Sequence, residues 1–188
     1  IILFPFVVSI IIVSYMVRGF LDAAAGQINH LFNLKVSWYD VKWPWPFIIV
    51  FVNTWKGVGY GTVLYIAAIL GIDTSLYESA ALDGASRLQQ IRYIPLPFLK
   101  PTMITVTLLA IGRIFNSDFG LFYQVPMNSG PLMDVTNTID TYVYRGLLET
   151  NDIARASAAG FIQSVMGFIF VIATNTIVRR VDREQALF

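Results

Sequence analysis

The chain has 188 residues, of which 56% are hydrophobic and 13% are charged, and its formal net charge is +1. Soluble domains are about 45–50% apolar and about 25% charged, so this much apolar surface is expected in a bilayer rather than in a globule. The near-zero charge gives no field that would attract nucleic acid, and the lack of cysteine with a single histidine, His30, argues against thiolate and multi-histidine metal sites and against a resident cofactor.

Four apolar stretches are long enough, or nearly so, to cross a bilayer, and their lengths favour helices. The predicted spans are 1–17, 47–71, 98–115 and 153–178. The first opens without Met and without a preceding basic region, which indicates a truncated span rather than a signal peptide. We therefore predict an all-α membrane protein in which 1–188 form a single domain lacking its N-terminal part.

The connections predict how the chain lies across the membrane. Trp38, Tyr39, Trp43 and Trp45 are expected at the headgroup level, just before the second span. Lys and Arg favour the cytoplasmic side, and they are more frequent in the connection 72–100 and the tail, at Arg87, Arg92, Lys100, Arg179, Arg180 and Arg183. This bias places 72–97 inside the cell and the loops 19–46 and 119–152 outside.

The connection 72–97 predicts two short helices joined by a tight turn. Ser75 with Glu78 fits a capping box at the start of the first helix. Gly84 stands where that helix must stop, because glycine readily takes the left-handed conformation. Ser86 is expected to cap the second helix, and Pro95 to terminate it. Pro97 and Pro101 suit the first turn of the next span.

Apolar residues repeat at helical spacing in both short helices. The first helix carries Leu76, Tyr77, Ala80 and Ala81 on one side, and the second carries Leu88, Ile91 and Ile94. The small alanines leave a face that another protein could approach closely. An amphipathic hairpin lying on the membrane would show the same pattern, and periodicity alone does not separate the two interpretations.

The order and spacing of these residues resemble a known signature. Glu78-Ser-Ala-Ala-Leu-Asp-Gly84-Ala85, followed by Ile94-Pro-Leu-Pro97, is similar to the cytoplasmic loop of ATP-binding-cassette (ABC) importer permeases, with Ser79 at one alanine position. Ile2-Leu-Phe-Pro5 and Trp55-Lys-Gly-Val-Gly59 resemble the maltose-type, binding-protein-dependent sugar permeases. The stretch 119–148 resembles the polysaccharide/oligosaccharide (LplB-like) branch, which includes importers of uronate-containing oligosaccharides.

The resemblance implies a type I ABC importer transmembrane domain, multi-pass in the bacterial cell membrane. It implies four kinds of partner besides the lipid bilayer: a second permease, ABC ATPase subunits carrying ATP and magnesium, an extracellular solute-binding protein and an oligosaccharide substrate. The first short helix would dock on the ATPase as a coupling helix. The residues concerned are Glu78, Ala80, Ala81, Asp83, Gly84, Ala85, Leu96 and Pro97.

The chain itself is predicted to be non-catalytic, because it has no Gly-x-x-x-x-Gly-Lys-Ser/Thr loop that could cradle phosphates. Lys56 and Arg113 lie within predicted spans, where a charge costs about 2.5–3.5 kcal/mol at the helix centre and usually faces a cavity or a partner. Rings beside polar groups suit sugars, and cations suit a uronate carboxylate. The candidate pathway residues are therefore Asn53, Trp55, Lys56, Tyr60, Arg113 and Asn116.

Explanations that involve no substrate remain open for each of these residues: the side chain could snorkel to the membrane surface or form an internal ion pair, such as Arg113 with Asp118.

Small residues at helical spacing in the fourth span predict close packing against another helix; they are Ala154, Ala156, Ala158, Gly160, Ser164 and Gly167. A secondary transporter for a polar solute is an alternative, but it does not explain the spacing from Glu78 to Pro97. A membrane scaffold or receptor subunit is another, but it would not need Lys56 and Arg113 in the bilayer. An ABC permease for a non-sugar solute also remains open.

Overall fold

Every regular element in the described part of the chain is a helix. The computed structural model describes residues 2–181; Ile1 of the first predicted span and Arg183 of the tail lie outside the described residues. The α-helices are α1 Phe4–Val7, α2 Ile10–Leu21, α3 Gln27–Leu31, α4 Trp45–Leu70, α5 Thr74–Leu82, α6 Arg87–Tyr93, α7 Pro95–Gly112, α8 Met133–Thr136, α9 Ile139–Leu148 and α10 Ile153–Val181. A π-helical turn, Gly120–Gln124, and a 3₁₀ turn, Gly130–Leu132, lie between α7 and α8.

Among the described residues, three stretches of helix are long and apolar enough to cross a membrane: Trp45–Leu70, Arg87–Ile111 and Ile153–Arg180. Only 17% of the most apolar window in each is buried within the chain. Large apolar side chains such as Phe51 and Phe168 are 69% and 67% exposed. Apolar side chains left uncovered along a whole helix need lipid or neighbouring helices around them. The predicted all-α membrane fold is confirmed.

The first apolar stretch is interrupted. α1 ends at Val7, Val8 and Ser9 are extended, and α2 begins at Ile10. The Ser9 hydroxyl accepts the amide N–H of Ile11 and caps α2, as serine commonly does at a helix start. With 12 residues, α2 spans about 18 Å, against about 30 Å for a hydrocarbon core. The prediction of one continuous helix over 1–17 is therefore wrong.

The described residues of Ile1–Gly59 and Phe115–Met166 form one compact unit. Its hydrophobic core joins α2, the start of α4 and the segment around the π-helical turn, through residues such as Val13, Ile49 and Leu121. α2 also packs against α3 and against the π-helical turn. The loops that connect the predicted spans in this unit thus fold as part of its core.

Trp45 belongs to that core. It has no exposed surface, and its indole N–H donates to the Trp38 carbonyl at 2.8 Å. The Trp38 indole in turn donates to Asn29 Oδ1 at 2.8 Å. The Trp45 ring is therefore enclosed by protein, and its position at the headgroup level stays a prediction. Trp43, by contrast, is 70% exposed.

The described residues of Tyr60–Ile114 and Gly167–Phe188 form the second unit. It contains the later part of α4, the short helices α5 and α6, α7, and the end of α10. α6 packs against the start of α7, and Ile72 and Leu108 are among the few buried apolar side chains. Most of the second unit's apolar surface faces outward.

Candidate functional site

The start of the hairpin α5–α6 is fixed by Asp73. Its carboxylate accepts the amide N–H of Ser75 at 2.9 Å, and α5 begins at Thr74. That hydrogen bond lowers the pKa of Asp73. The predicted capping box of Ser75 with Glu78 is wrong, because Ser75 already lies inside the helix and its carbonyl accepts the Ser79 hydroxyl. The Glu78 side chain, with no capping role, is exposed.

The end of α5 is closed by the signature glycine. Gly84 has a φ of +77°, a left-handed conformation that glycine adopts without steric cost. Its N–H donates to the Ala81 carbonyl at 3.1 Å, and the Ala85 N–H donates to the Ala80 carbonyl at 2.9 Å. This pair of bonds is the Schellman arrangement that ends many helices. The prediction that α5 stops at Gly84 in a left-handed conformation is confirmed. The spacing from Ala80 to Ala85 is the one that these two backbone hydrogen bonds require.

The second short helix begins two residues later. The Ser86 hydroxyl accepts the Gln89 amide N–H, and the Gln89 side chain accepts the Ser86 amide N–H at 2.8 Å. This capping box satisfies donors that would otherwise be free, and it confirms the role predicted for Ser86. α6 ends at Tyr93, and Pro95 is the first residue of α7.

The start of α7 differs from the prediction by three residues. Leu96 and Pro97 lie in its first turn, where a missing proline N–H costs nothing. Pro101 lies inside the helix, so its placement in a first turn is wrong. The predicted third span thus continues without a loop from the end of the hairpin.

The surface of the hairpin is free to meet another molecule. Neither α5 nor α6 has a buried residue. Leu76, Leu82 and Leu88 are 40%, 90% and 76% exposed. These exposed leucines form an apolar patch of the kind that a partner can cover, and the exposed Glu78 adds a charge to it. The hairpin is therefore a preformed surface rather than a flexible linker.

Two predicted pathway residues line one cavity in the second unit. Tyr60 on α4 and Arg113 at the end of α7 border a space of about 300 Å³, together with Leu64, Val106, Leu109 and Ala110. An aromatic ring, a guanidinium and aliphatic side chains around one space provide the mixed surface that a sugar with a carboxylate would need. The structure thus brings Tyr60 and Arg113 together.

Lys56 is engaged differently. Its ammonium donates to the backbone carbonyls of Val8 at 2.7 Å, Phe6 at 3.1 Å and Pro5 at 3.4 Å. An ammonium group has three donors, so these three carbonyls account for all of them. The sequence predicts Lys56 as a cation within a span, but the partners of its ammonium are backbone carbonyls about fifty residues away in the chain.

The remaining pathway candidates lie in the first unit. Asn53 is exposed on α4, and Trp55 is half-buried against the hydrophobic core. Asn116 is exposed, and its side-chain oxygen accepts a hydrogen bond from Gln163 at 2.7 Å. Asp118 accepts the Leu121 amide N–H at 3.0 Å and so helps to start the π-helical turn.

A buried polar cluster was missed by sequence reasoning. Gln163 on α10 is 5% exposed, and its amide nitrogen lies 2.7 Å from the Phe115 carbonyl and 3.1 Å from Asp140 Oδ1. Asp140 Oδ2 accepts the Ser117 amide and hydroxyl at 2.6 and 2.7 Å. Burial raises the pKa of Asp140, but the bonds from Ser117 and Gln163 outweigh it, and the net pKa is lowered.

The small residues of α10 that were predicted to allow close packing differ in burial and in the distance to their neighbours. Ala156 is fully buried, and a Cβ built on Gly146 would lie 3.0 Å from its side chain. Gly160 has no neighbour within 4 Å of a built Cβ, and Ala154, Ala158 and Ser164 are exposed. α10 therefore packs closely through Ala156 within the first unit and leaves other small residues uncovered.

Side chains that could ligate a metal lie apart from one another among the described residues. No group of three or more His, Asp or Glu side chains among them could hold a metal ion. His30 is exposed at the end of α3. The hairpin and the cavity at Tyr60 and Arg113 are the features that a function has to explain.

Residues 1–184 match the protein family described as "Binding-protein-dependent transport system inner membrane component". The chain is 32% identical over 185 residues to Protein LplB of Bacillus subtilis (strain 168). It is 30% identical over 185 residues to the polygalacturonan/rhamnogalacturonan transport system permease protein YteP of the same organism. Each alignment covers 96% of this chain and 57% of the relative, so the chain spans little more than half the length of these proteins.

A solved structure matches the fold. It is that of a bacterial ABC transporter involved in the import of the acidic polysaccharide alginate, with a TM-score of 0.89 and 30% sequence identity. The match covers 97% of this chain and 64% of the chain in that structure. The helix order described above is therefore the fold of a transporter permease.

Proposed function

Because the chain belongs to the family of binding-protein-dependent transport system inner membrane components, we propose that it acts as the permease subunit of an ATP-driven importer of oligosaccharides. The family membership confirms the resemblance inferred from residues 78–97, and it places the chain in the inner membrane. The observation that carries the proposal is the capped hairpin α5–α6, whose two helices have no buried residue and so offer a surface for docking.

The hairpin would couple the permease to a separate motor. α5 would dock on an ABC ATPase subunit through Glu78, Ala81 and the exposed leucines, and movement of the ATPase would shift α4 and α7, which flank the hairpin. ATP and magnesium would be held by that ATPase, and the chain would perform no chemistry itself. Because Gly84 and Ser86 fix the hairpin internally, it can transmit force without first having to fold.

The substrate would be an oligosaccharide, including uronate-containing ones. Support comes from the cavity at Tyr60 and Arg113, where a ring can cover the C–H face of a sugar and a guanidinium can pair with a carboxylate. Asn53, Trp55 and Asn116 remain candidates for contacts along the pathway. A named relative transports polygalacturonan, and the matching structure belongs to an alginate importer, which makes acidic oligosaccharides the first substrates to test.

The other partners follow from this role. A second permease would complete the pathway, and an extracellular solute-binding protein would deliver the substrate at the side opposite the hairpin. The excess of Lys and Arg around 72–100 supports a cytoplasmic hairpin. A secondary transporter would need no docking hairpin, and an ABC permease for a non-sugar solute is an outcome of the substrate test.

Charge reversal on the hairpin tests the coupling role. The importer should be reconstituted with its ATPase and binding protein in proteoliposomes carrying Glu78→Lys or Gly84→Pro. Glu78 is exposed, so its reversal disturbs docking rather than folding, while proline at 84 removes an N–H and forbids a φ of +77°. We expect both variants to insert in the membrane but to lose substrate-stimulated ATP hydrolysis and oligosaccharide uptake.

A matched control is Lys35→Glu, which reverses an exposed charge in the loop 19–46 and should leave ATP turnover stimulated. Normal substrate-stimulated turnover in Glu78→Lys and Gly84→Pro would contradict the coupling role. Uptake of amino acids or metal ions, with no uptake of neutral or acidic oligosaccharides, would contradict the substrate class and retain the permease.

A further inference from the structure

The interruption of the first apolar stretch leaves backbone carbonyls without helical donors. In a continuous helix, the carbonyls of Pro5 and Phe6 would accept the amides of Ser9 and Ile10. The extended conformation of Val8 and Ser9 turns those amides away, so these two carbonyls do not receive their usual helical donors. Within an apolar stretch, such carbonyls need a partner from elsewhere in the protein.

Lys56 supplies that partner. Of the three carbonyls that its ammonium contacts, at 2.7–3.4 Å, those of Pro5 and Phe6 belong to α1 and that of Val8 to the interruption. A group of carbonyl oxygens around one positive charge is the arrangement by which unwound backbone in transporters holds a cation. Here the cation is covalently tethered to α4, so the interruption is held in place by the protein's own side chain.

A second contact on the same face of α4 supports this arrangement. Gly59 lies three residues after Lys56, on the same side of the helix, and it is buried. A Cβ built on Gly59 would lie 2.1 Å from the Ile2 carbonyl oxygen. The glycine therefore admits the chain before α1 directly against α4, while Lys56 binds the carbonyls that follow.

We propose that Lys56 is a positioning residue, a tethered cation that fixes the interrupted segment 4–9 against α4, and that it does not bind the transported solute. The sequence gives the opposite expectation, because an intramembrane lysine suits a uronate carboxylate. The geometry decides between them: all three donors of the ammonium are used by backbone oxygens, and a solute carboxylate would have to displace them.

Uptake kinetics of the complete importer separate the two roles. Lys56→Met keeps the length of the side chain and removes the charge and donors. We expect maximal uptake to fall about tenfold or more, because each charged hydrogen bond is strong, with the half-saturating concentration unchanged for both neutral and uronate oligosaccharides. A selective rise of that concentration for uronates would overturn the proposal, because it would mean that Lys56 contacts the solute.

Chemical rescue tests the tethered cation directly. In Lys56→Ala, ethylammonium added to the proteoliposomes should restore part of the uptake, since the free cation can enter the carbonyl site. Lys56→Arg should keep part of the activity without added amine. Lys100→Met, which removes an exposed lysine from a different apolar helix, should show no response to the amine. No rescue of Lys56→Ala, or equal stimulation of Lys100→Met, would overturn the proposal.

A measurement on the unaltered chain tests the proposal even if the Lys56 variants fail to assemble. Reductive methylation of the intact complex, read by mass spectrometry, should modify Lys35 and leave Lys56 unmodified. Modification of Lys56 as fast as Lys35 would overturn the proposal, since it would show the amine facing an aqueous space. The uptake assays depend on the proposed transport function, whereas this labelling does not. If the unaltered importer takes up no oligosaccharide, the proposed transport function is refuted, and the labelling still tests the role of Lys56.

Discussion

Replacing Gln163 by leucine should destabilise the first unit strongly. The change removes the amide that lies within hydrogen-bond distance of Phe115, Asn116 and Asp140. An amide nitrogen carries two protons, and a buried acceptor that loses its donor costs about 1–3 kcal/mol, so two lost bonds cost about 2–6 kcal/mol. The added apolar burial of leucine returns about 1.5 kcal/mol. We expect a net loss near 3 kcal/mol, order of magnitude.

Thermal unfolding of the purified complex in detergent measures this loss. One kcal/mol corresponds to about 2–4 °C in domains of 150–250 residues, so Gln163→Leu should lower Tm by about 6–12 °C. The control is Ser164→Ala at the next residue, which is exposed and whose hydroxyl bonds only to its own helix, at the Gly160 carbonyl; we expect it to shift Tm by less than about 2 °C.

Equal shifts for the Gln163 and Ser164 variants would refute the reasoning, because the cluster would then carry no more energy than a surface hydroxyl. An unchanged Tm in Gln163→Leu with normal expression would do the same. A double-mutant cycle with Asp140→Asn adds a sharper criterion, since partners in one network should couple by about 0.5–3 kcal/mol.

Two further predictions follow from close contacts and from charge. Gly59→Val should prevent assembly or lower Tm by more than about 5 °C, since even a Cβ there meets the Ile2 carbonyl oxygen at 2.1 Å; Gly57→Val, with nothing within 4 Å of its Cβ, should not. Because the fold lowers the pKa of Asp140, its carboxylate adds stability above the ordinary pKa of 3.8 and loses it as the pH falls through the lower value in the fold. The Tm of the unaltered chain should therefore fall more steeply below about pH 4 than that of Asp140→Asn, and parallel curves would contradict this.

Local rules were sufficient for the turn between the two helices of the hairpin. Gly84 could be predicted because few other residues accept a left-handed conformation, and Ser86 because Gln89 stands three residues after it. The cap of α5 was misplaced because Asp73 and Ser75 are both good caps, two residues apart, and the choice depends on where the preceding α4 ends. Sequence signals of this kind identify the element better than its first residue.

The features that the sequence did not predict depend on tertiary contacts. In the mainly apolar stretch 1–17, Ser9 is a possible helix cap but does not by itself predict an interruption. The carbonyls that the interruption releases are contacted by Lys56 on another helix. Gln163 stands out as a polar residue in an apolar span, but its partners come from two separate segments, 115–116 and Asp140. Trp45 is enclosed by a core that periodicity does not reveal. Each of these cases depends on residues far apart in the chain.

The helix ends in the hairpin are closed by its own residues: Asp73 before α5, Gly84 and Ala85 after it, and Ser86 with Gln89 at the start of α6. None of these residues has to present its side chain to a partner in order to hold the shape. The outward residues Leu76 and Leu82 are therefore free to vary in evolution without remodelling the backbone. A permease of this kind could be matched to a different motor protein by exchanging a few surface side chains, with the scaffold beneath them unchanged.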